Sequence, residues 1–130
     1  MTWTAKQLAH IGDAEELHLA PRRTDGRLRS FTTMWVVRAN GELYVRSAGG
    51  PQRPWYRHAL ANRMGRISAD GIEADVSFAE ADRDAQTAID AAYHAKYDRY
   101  GPATVGHVTG PSAHTVTVRL VPAQEEGTSP

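Results

Sequence analysis

The chain has 130 residues, fifteen basic and fifteen acidic side chains, and no cysteine. That length suits one domain with its own core, while the balanced charge excludes a general field for nucleic acid or an anionic membrane. The missing thiols exclude disulfides and thiolate metal sites and fit a reducing cytoplasm, and no stretch nears a signal peptide or the ~20 apolar residues of a membrane helix.

In chain order, Thr4 is a candidate N-cap for a short helix with Leu8 and Ile11 inward, ending near Gly12. Asp25-Gly26, Asn40-Gly41 and Asp70-Gly71 each sit between β-favouring runs and predict type I′ hairpin turns. The strands they imply cover 17–23, 27–38, 42–48, 65–69 and 72–78. Pro54 opens a helix that reaches Asn62, with Trp55, Ala59 and Leu60 inward. A longer helix runs from a capping Asp82 to Tyr100, where Gly101-Pro102 stops it.

The segment 101–113, rich in Gly, Pro and Thr, reads as a long connection or a lid. Thr115 to Val121 alternates as a half-buried closing strand. Residues 1–123 form a single predicted domain, and 124–130, small and polar, read as a disordered tail. Several hairpins with few helices argue for the α+β class, built as a small antiparallel barrel or strongly curled sheet.

Charge is uneven along the chain. Ten arginines lie between Arg22 and Arg66 against two acids, Asp25 and Glu42. Two-residue turns would set Val37 opposite Tyr44, Trp35 opposite Arg46, Met34 opposite Ser47, Arg23 opposite Leu28 and Arg22 opposite Arg29. The last pairing puts like charges across a ladder. A phosphate held in arginine's planar fork would neutralise them; exposure to water is the alternative.

The segment 46–56 joins a strand to a helix through Gly49-Gly50. Glycines admit a close ligand, free amides at a helix start favour anions, and Ser47 and Arg53 add donors. It also reads as an ordinary Gly-Pro connection, and it is no P-loop, because no Gly-Lys-Ser/Thr follows.

Tyr93, Tyr97 and Tyr100 with Lys96 either edge a pocket, with a phenol donating to a substrate oxygen, or pack on the sheet. Asp90, His94 and Asp98 share a helix face, which reads as a carboxylate-oriented histidine or as a solvated surface. The six histidines show no paired ligand spacing, so no metal is expected. His107 is the titratable side chain of the 101–113 segment and its acid/base candidate.

Trp3-Thr4, Arg38, Leu43 to Ser47, Pro54-Trp55 and, most distinctive, Ala91 to Gly101 form a pattern that spans nearly the whole chain. It resembles that of an uncharacterised group, the domain-of-unknown-function family 2255. More distantly, Asp25 to Arg29 and Gly49-Gly50 with Pro54 to Asn62 resemble the split β-barrel enzymes that bind flavin mononucleotide or deazaflavin, particularly the deazaflavin-dependent nitroreductases. Asp25 stands where those reductases usually carry serine, and Pro51 where they often carry a small residue.

The resemblance implies a split barrel, pairing of two copies across a two-fold, and a cofactor lying over Arg29, Ser47, Gly49-Gly50 and Trp55. The cofactor-binding candidates are therefore Arg29, Arg46, Ser47, Gly49, Gly50, Arg53 and Trp55, and the catalytic candidates are Tyr97 and His107. Three readings stand at this point. One is an oxidoreductase using flavin mononucleotide or a deazaflavin on a small organic substrate. The others are a cofactor-free isomerase or cyclase in the same pocket, and a non-catalytic ligand-binding or partner-binding domain. Nucleic acid and membrane are not expected partners.

Overall fold

Thr4 caps helix α1 (Ala5–Asp13) reciprocally: its hydroxyl accepts from the Gln7 amide at 3.0 Å, and the Gln7 side chain accepts from the Thr4 amide at 2.9 Å. From there the chain enters an antiparallel sheet. The computed structural model describes residues 2–123, and the tail expected over 124–130 lies outside the described residues.

The seven strands are β1 (Leu17–Pro21), β2 (Thr32–Met34), β3 (Val37–Ala39), β4 (Glu42–Arg46), β5 (Met64–Ala69), β6 (Ile72–Glu80) and β7 (Thr117–Pro122). Their order is β2-β1-β5-β6-β7-β4-β3. Asn40 and Gly41, at φ 54° and 77°, form the left-handed pair that a type I′ turn needs, and Asp70 and Gly71 repeat it at 50° and 78°. The first of these turns sets Val37 opposite Tyr44, the register expected from the sequence.

The strand expected over 27–38 is instead broken at Trp35-Val36. Met34 pairs with Leu17 rather than facing Ser47, and Trp35 lies outside any strand rather than opposite Arg46. β2 and β3 therefore occupy the two opposite edges of the sheet, joined by two residues. A sheet whose edges are bridged so briefly must curl back on itself.

The first hairpin also departs from expectation. The Arg23 amide donates to the Arg27 carbonyl at 2.7 Å around a three-residue loop, so Arg22 bridges Leu28 rather than Arg29. Asp25 widens the loop by accepting from the Arg27 amide at 3.0 Å, an Asx-type bond that competes with the tight turn.

Helix α2 (Pro54–Asn62) carries the chain from β4 to β5 within the predicted bounds. The helix expected over 82–100 is divided into a 3₁₀ turn (Arg83–Ala85), helix α3 (Gln86–Tyr97) and a second 3₁₀ turn (Asp98–Tyr100). The 101–113 segment holds two single-turn helices, α4 (Pro102–Val105) and α5 (Pro111–His114), each opened by proline after a glycine of positive φ.

Two apolar clusters flank the sheet. One gathers Leu17, Leu19, Val45, Ile67, Phe78 and Leu120 under α1 and α2, and buried Trp3 donates its indole N–H to the Leu120 carbonyl at 2.8 Å. The other packs Ile89, Tyr93 and Tyr97 of α3 against Val37 and Tyr44. Gly65 keeps the first cluster tight, since a Cβ there would lie 2.5 Å from the Ala20 carbonyl oxygen and 2.6 Å from Phe78. Among the described residues no helix is long and apolar enough to cross a membrane.

Candidate functional site

A cleft of about 430 Å³ opens where the sheet edges meet. That volume lies within the range of small-molecule sites. Thr32 to Trp35 form one wall, Ala48, Gly49, Arg53 and Trp55 a second, and Thr104, His107 and Val108 a third. Glu16 adds a carboxylate at the margin. The cleft thus draws on the β2–β3 corner, the β4–α2 turn and the 101–113 segment, which the sequence separates widely.

The β4–α2 turn is held by its own residues. Buried Ser47 donates its hydroxyl proton to the Gly50 carbonyl at 2.6 Å, and the Gly50 amide donates to the Ser47 carbonyl at 3.0 Å. Gly50 is at φ 89°, a conformation that glycine supplies without strain. Gly49 has a different reason to be glycine: the Arg53 side chain lies across it, and a Cβ would fall 1.6 Å from Arg53 Nε. The turn is therefore a seat for a guanidinium at the cleft edge.

Arg46 borders the cleft, but its guanidinium is turned into the protein. Nε donates to Thr117 Oγ1 at 2.9 Å, Nη1 to Asp90 at 2.5 Å and to the Val108 carbonyl at 2.7 Å, and Nη2 to Gln86 at 2.7 Å. Four of an arginine's five N–H donors are thereby committed. Asp90 also accepts from the Gly110 amide at 3.3 Å and contacts His114 Nε2 at 2.9 Å. Burial opposes ionisation of Asp90, but the bonds from His114 and Arg46 outweigh it and hold the carboxyl below its ordinary range. The network ties the 101–114 wall to the sheet.

The sequence reading set Asp90 beside His94 and Asp98. Those two pair with each other at 2.7 Å on the surface, while Asp90 turns inward. Gln86, Asp90 and His114 were not singled out as a set. The available signal was spacing, since Gln86 and Asp90 lie i, i+4 on α3, flanking inward Ile89.

Tyr97 does not border the cleft. Its hydroxyl accepts from the Val36 amide at 3.2 Å and donates to the Glu15 carbonyl at 2.9 Å, with the Val36 carbonyl 3.1 Å away. Its ring lies behind Trp35, centroids 4.0 Å apart and planes 4° from parallel. Burial raises its phenol well above the ordinary range, so it stays protonated. His107, by contrast, lines the cleft and is exposed.

Arg29 lies three residues before the cleft wall at Thr32, and its Nε is buried with no hydrogen-bond partner among the described residues. His58, one turn along α2 from Trp55, is lowered by burial and then by the charges of Arg29, Arg57 and Arg23. Among the described residues, none of Arg23, Arg29, Arg53 and Arg57 has a carboxylate within 4.0 Å. Arg22, the expected partner of Arg29, instead donates to the Gly26 carbonyl at 2.6 Å and to Asp75 at 3.0 Å. The result is a cluster of uncompensated cations with one orphaned donor.

Solved structures share this architecture. HutZ, the heme storage protein from Vibrio cholerae, is 15% identical, with 96% of this chain and 93% of that one covered and a TM-score of 0.61. An F420 reductase is 24% identical over 90% and 93%, at 0.55. An FAD-binding protein from Mesorhizobium loti is 14% identical over 95% and 91%, at 0.61. These likenesses show the fold, a flavin-type split β-barrel. No curated protein matches the chain. The family model for DUF2255, "Uncharacterized protein conserved in bacteria", matches residues 7–120, and the chain belongs to that family.

Proposed function

We propose that the cleft binds a phosphorylated flavin or deazaflavin and that the protein is an oxidoreductase for a small organic substrate. The observation that carries this reading is the buried, unpartnered Arg29 Nε among Arg23, Arg57 and His58. A buried donor without a partner costs ~1–3 kcal/mol, which a phosphate oxygen would recover. The glycine seat at Gly49, which lets the Arg53 guanidinium lie at the cleft edge, supports it too.

In this reading Arg29 holds the phosphate, with Arg57 and Arg23 supplying further positive field. Arg53, lying over Gly49, closes the turn side of the cleft, and Trp55 borders the ring system. Arg46 and Ser47, whose donors bond within the protein, shape the wall and the turn. A flavin or deazaflavin supplies hydride chemistry when bound. His107 is the cleft imidazole able to hold or deliver a proton to a substrate there. Pairing of two copies and a cytoplasmic location belong to the same proposal.

The test is a titration of the purified chain with flavin mononucleotide and with the deazaflavin cofactor, with heme as a third ligand. Saturable micromolar flavin binding that weakens by about 1.5–3 kcal/mol in Arg29→Ala supports the reading. Failure of both flavins to bind overturns it. A cofactor-free isomerase or cyclase is the second reading, favoured by Glu16 and His107 bordering one cleft as an acid–base pair of types.

A further inference from the structure

The cleft holds two indoles in different states. Trp55 is 9% exposed and meets the Tyr56 ring edge-on at 5.7 Å and 82°, so it is packed as core. Trp35 is half-buried in the two-residue corner between β2 and β3. Tyr97 covers one of its faces in parallel contact, and Tyr100 leans against it at 5.2 Å and 34°. Tyr97 does not border the cleft and Trp35 does, so the cleft reaches the indole on a side that Tyr97 leaves open.

Several bonds fix this arrangement. The Tyr97 hydroxyl is bonded to the Val36 backbone and the Glu15 carbonyl, and Lys96 Nζ donates to the Val36 and Gly12 carbonyls at 2.6 and 2.7 Å. The corner carrying Trp35 is thus tied to α1 and α3 by bonds that a ligand does not disturb. A flat surface fixed in advance loses little freedom when a second flat surface settles on it. Offset stacking of π-systems rewards that geometry.

We infer that Trp35 is the platform on which the cleft receives a planar, multi-ring heterocycle, and that Tyr97 is its positioning residue. The inference deepens the flavin reading by naming the residue that recognises the ring, and it rests on that reading for the identity of the ring. Trp55 borders the ligand but does not stack on it. Trp35 recognises the flat face alone, so ring recognition is separable from phosphate recognition at Arg29.

The experiment uses lumiflavin, the phosphate-free flavin ring, against the chain labelled with 5-fluorotryptophan, whose three indoles give three fluorine signals. Saturable binding that shifts the Trp35 signal most is expected. It should weaken about tenfold in Trp35→Leu, less in Trp35→Phe, and stay unchanged in Arg29→Ala. Tyr97→Phe, which keeps the ring pair but loses the hydroxyl bonds, should broaden the Trp35 signal in the free protein. No lumiflavin binding, a dominant shift at Trp55, or equal affinity in a folded Trp35→Leu chain would overturn the inference. Flavin mononucleotide binding no tighter than lumiflavin would instead sink the phosphate site and leave the platform standing.

Discussion

The guanidinium of Arg46, on β4, is fully buried, and Asp90, on α3, meets it at 2.5 Å. Removing one member of such a pair leaves the other charged, half-enclosed and without its partner. Arg46→Met should therefore lower unfolding free energy by about 3 kcal/mol or more in urea denaturation. Arg46→Lys should recover only part of it, because a single ammonium does not span Thr117, Asp90, Val108 and Gln86.

Acid should loosen the same network. The Asp90 carboxyl is depressed in the folded chain, so its stabilisation is complete above the unfolded value and is lost as pH falls through the folded one. Asp90→Asn should flatten stability against pH below about 4 while lowering it near neutrality. An unchanged acid limb in the variant would place the acid sensitivity elsewhere, with Asp75 beside Arg66 and Arg22 as the next carboxylate.

Lys96 gives stability the same sign of slope in an alkaline window, by the opposite cause: the fold disfavours its charged form. Burial, with a smaller push from Arg99, lowers its ammonium from 10.5 to about 8 against the pull of Asp13 and Glu15. Between those values the unfolded chain holds more protons than the folded one, so stability should rise with pH across that window. Lys96→Met should abolish the rise. Lysine side-chain NMR reads the titration directly, with exposed Lys6, the other lysine in the sequence, as the comparison signal.

Adjacent glycines should give different phenotypes. Gly50→Ala forces an L side chain to φ 89° and should cost about 1 kcal/mol of stability. Gly49→Ala places a methyl where Arg53 lies, so the flexible arginine must swing away. Its unfolding free energy should stay within about 0.5 kcal/mol of the parent, while flavin affinity falls. Thermal melts with and without flavin mononucleotide separate the two effects.

Local chemistry was legible in the sequence. Pro54 and Asn62 bound α2 as expected, Thr4 caps α1, and Asn40-Gly41 and Asp70-Gly71 make the predicted turns, because each signal lies within a few residues of its consequence. Long-range partnership was not. Residues 27–38 read as one strand, and nothing in their composition says that the chain changes sheet edge at Trp35-Val36. The anchoring of Arg46 by Gln86 and Asp90 was hidden for the same reason, since those residues lie some forty positions away. Of the expected site, Arg46, Gly49, Arg53, Trp55 and His107 do border one cleft, Tyr97 stands behind Trp35, and Arg29 lies in the neighbouring cation cluster.

The Trp35-Val36 corner has one more consequence. The barrel is cut lengthwise along a single slit, and the chain crosses that slit once, on a two-residue tether. The tether works as a caliper: its length sets how far the two lips can stand apart, while the five interior strands keep their own ladders whatever the gap. One inserted residue there would widen the mouth without asking any strand to change neighbour, so the size of molecule admitted can drift in evolution while the barrel stays the same.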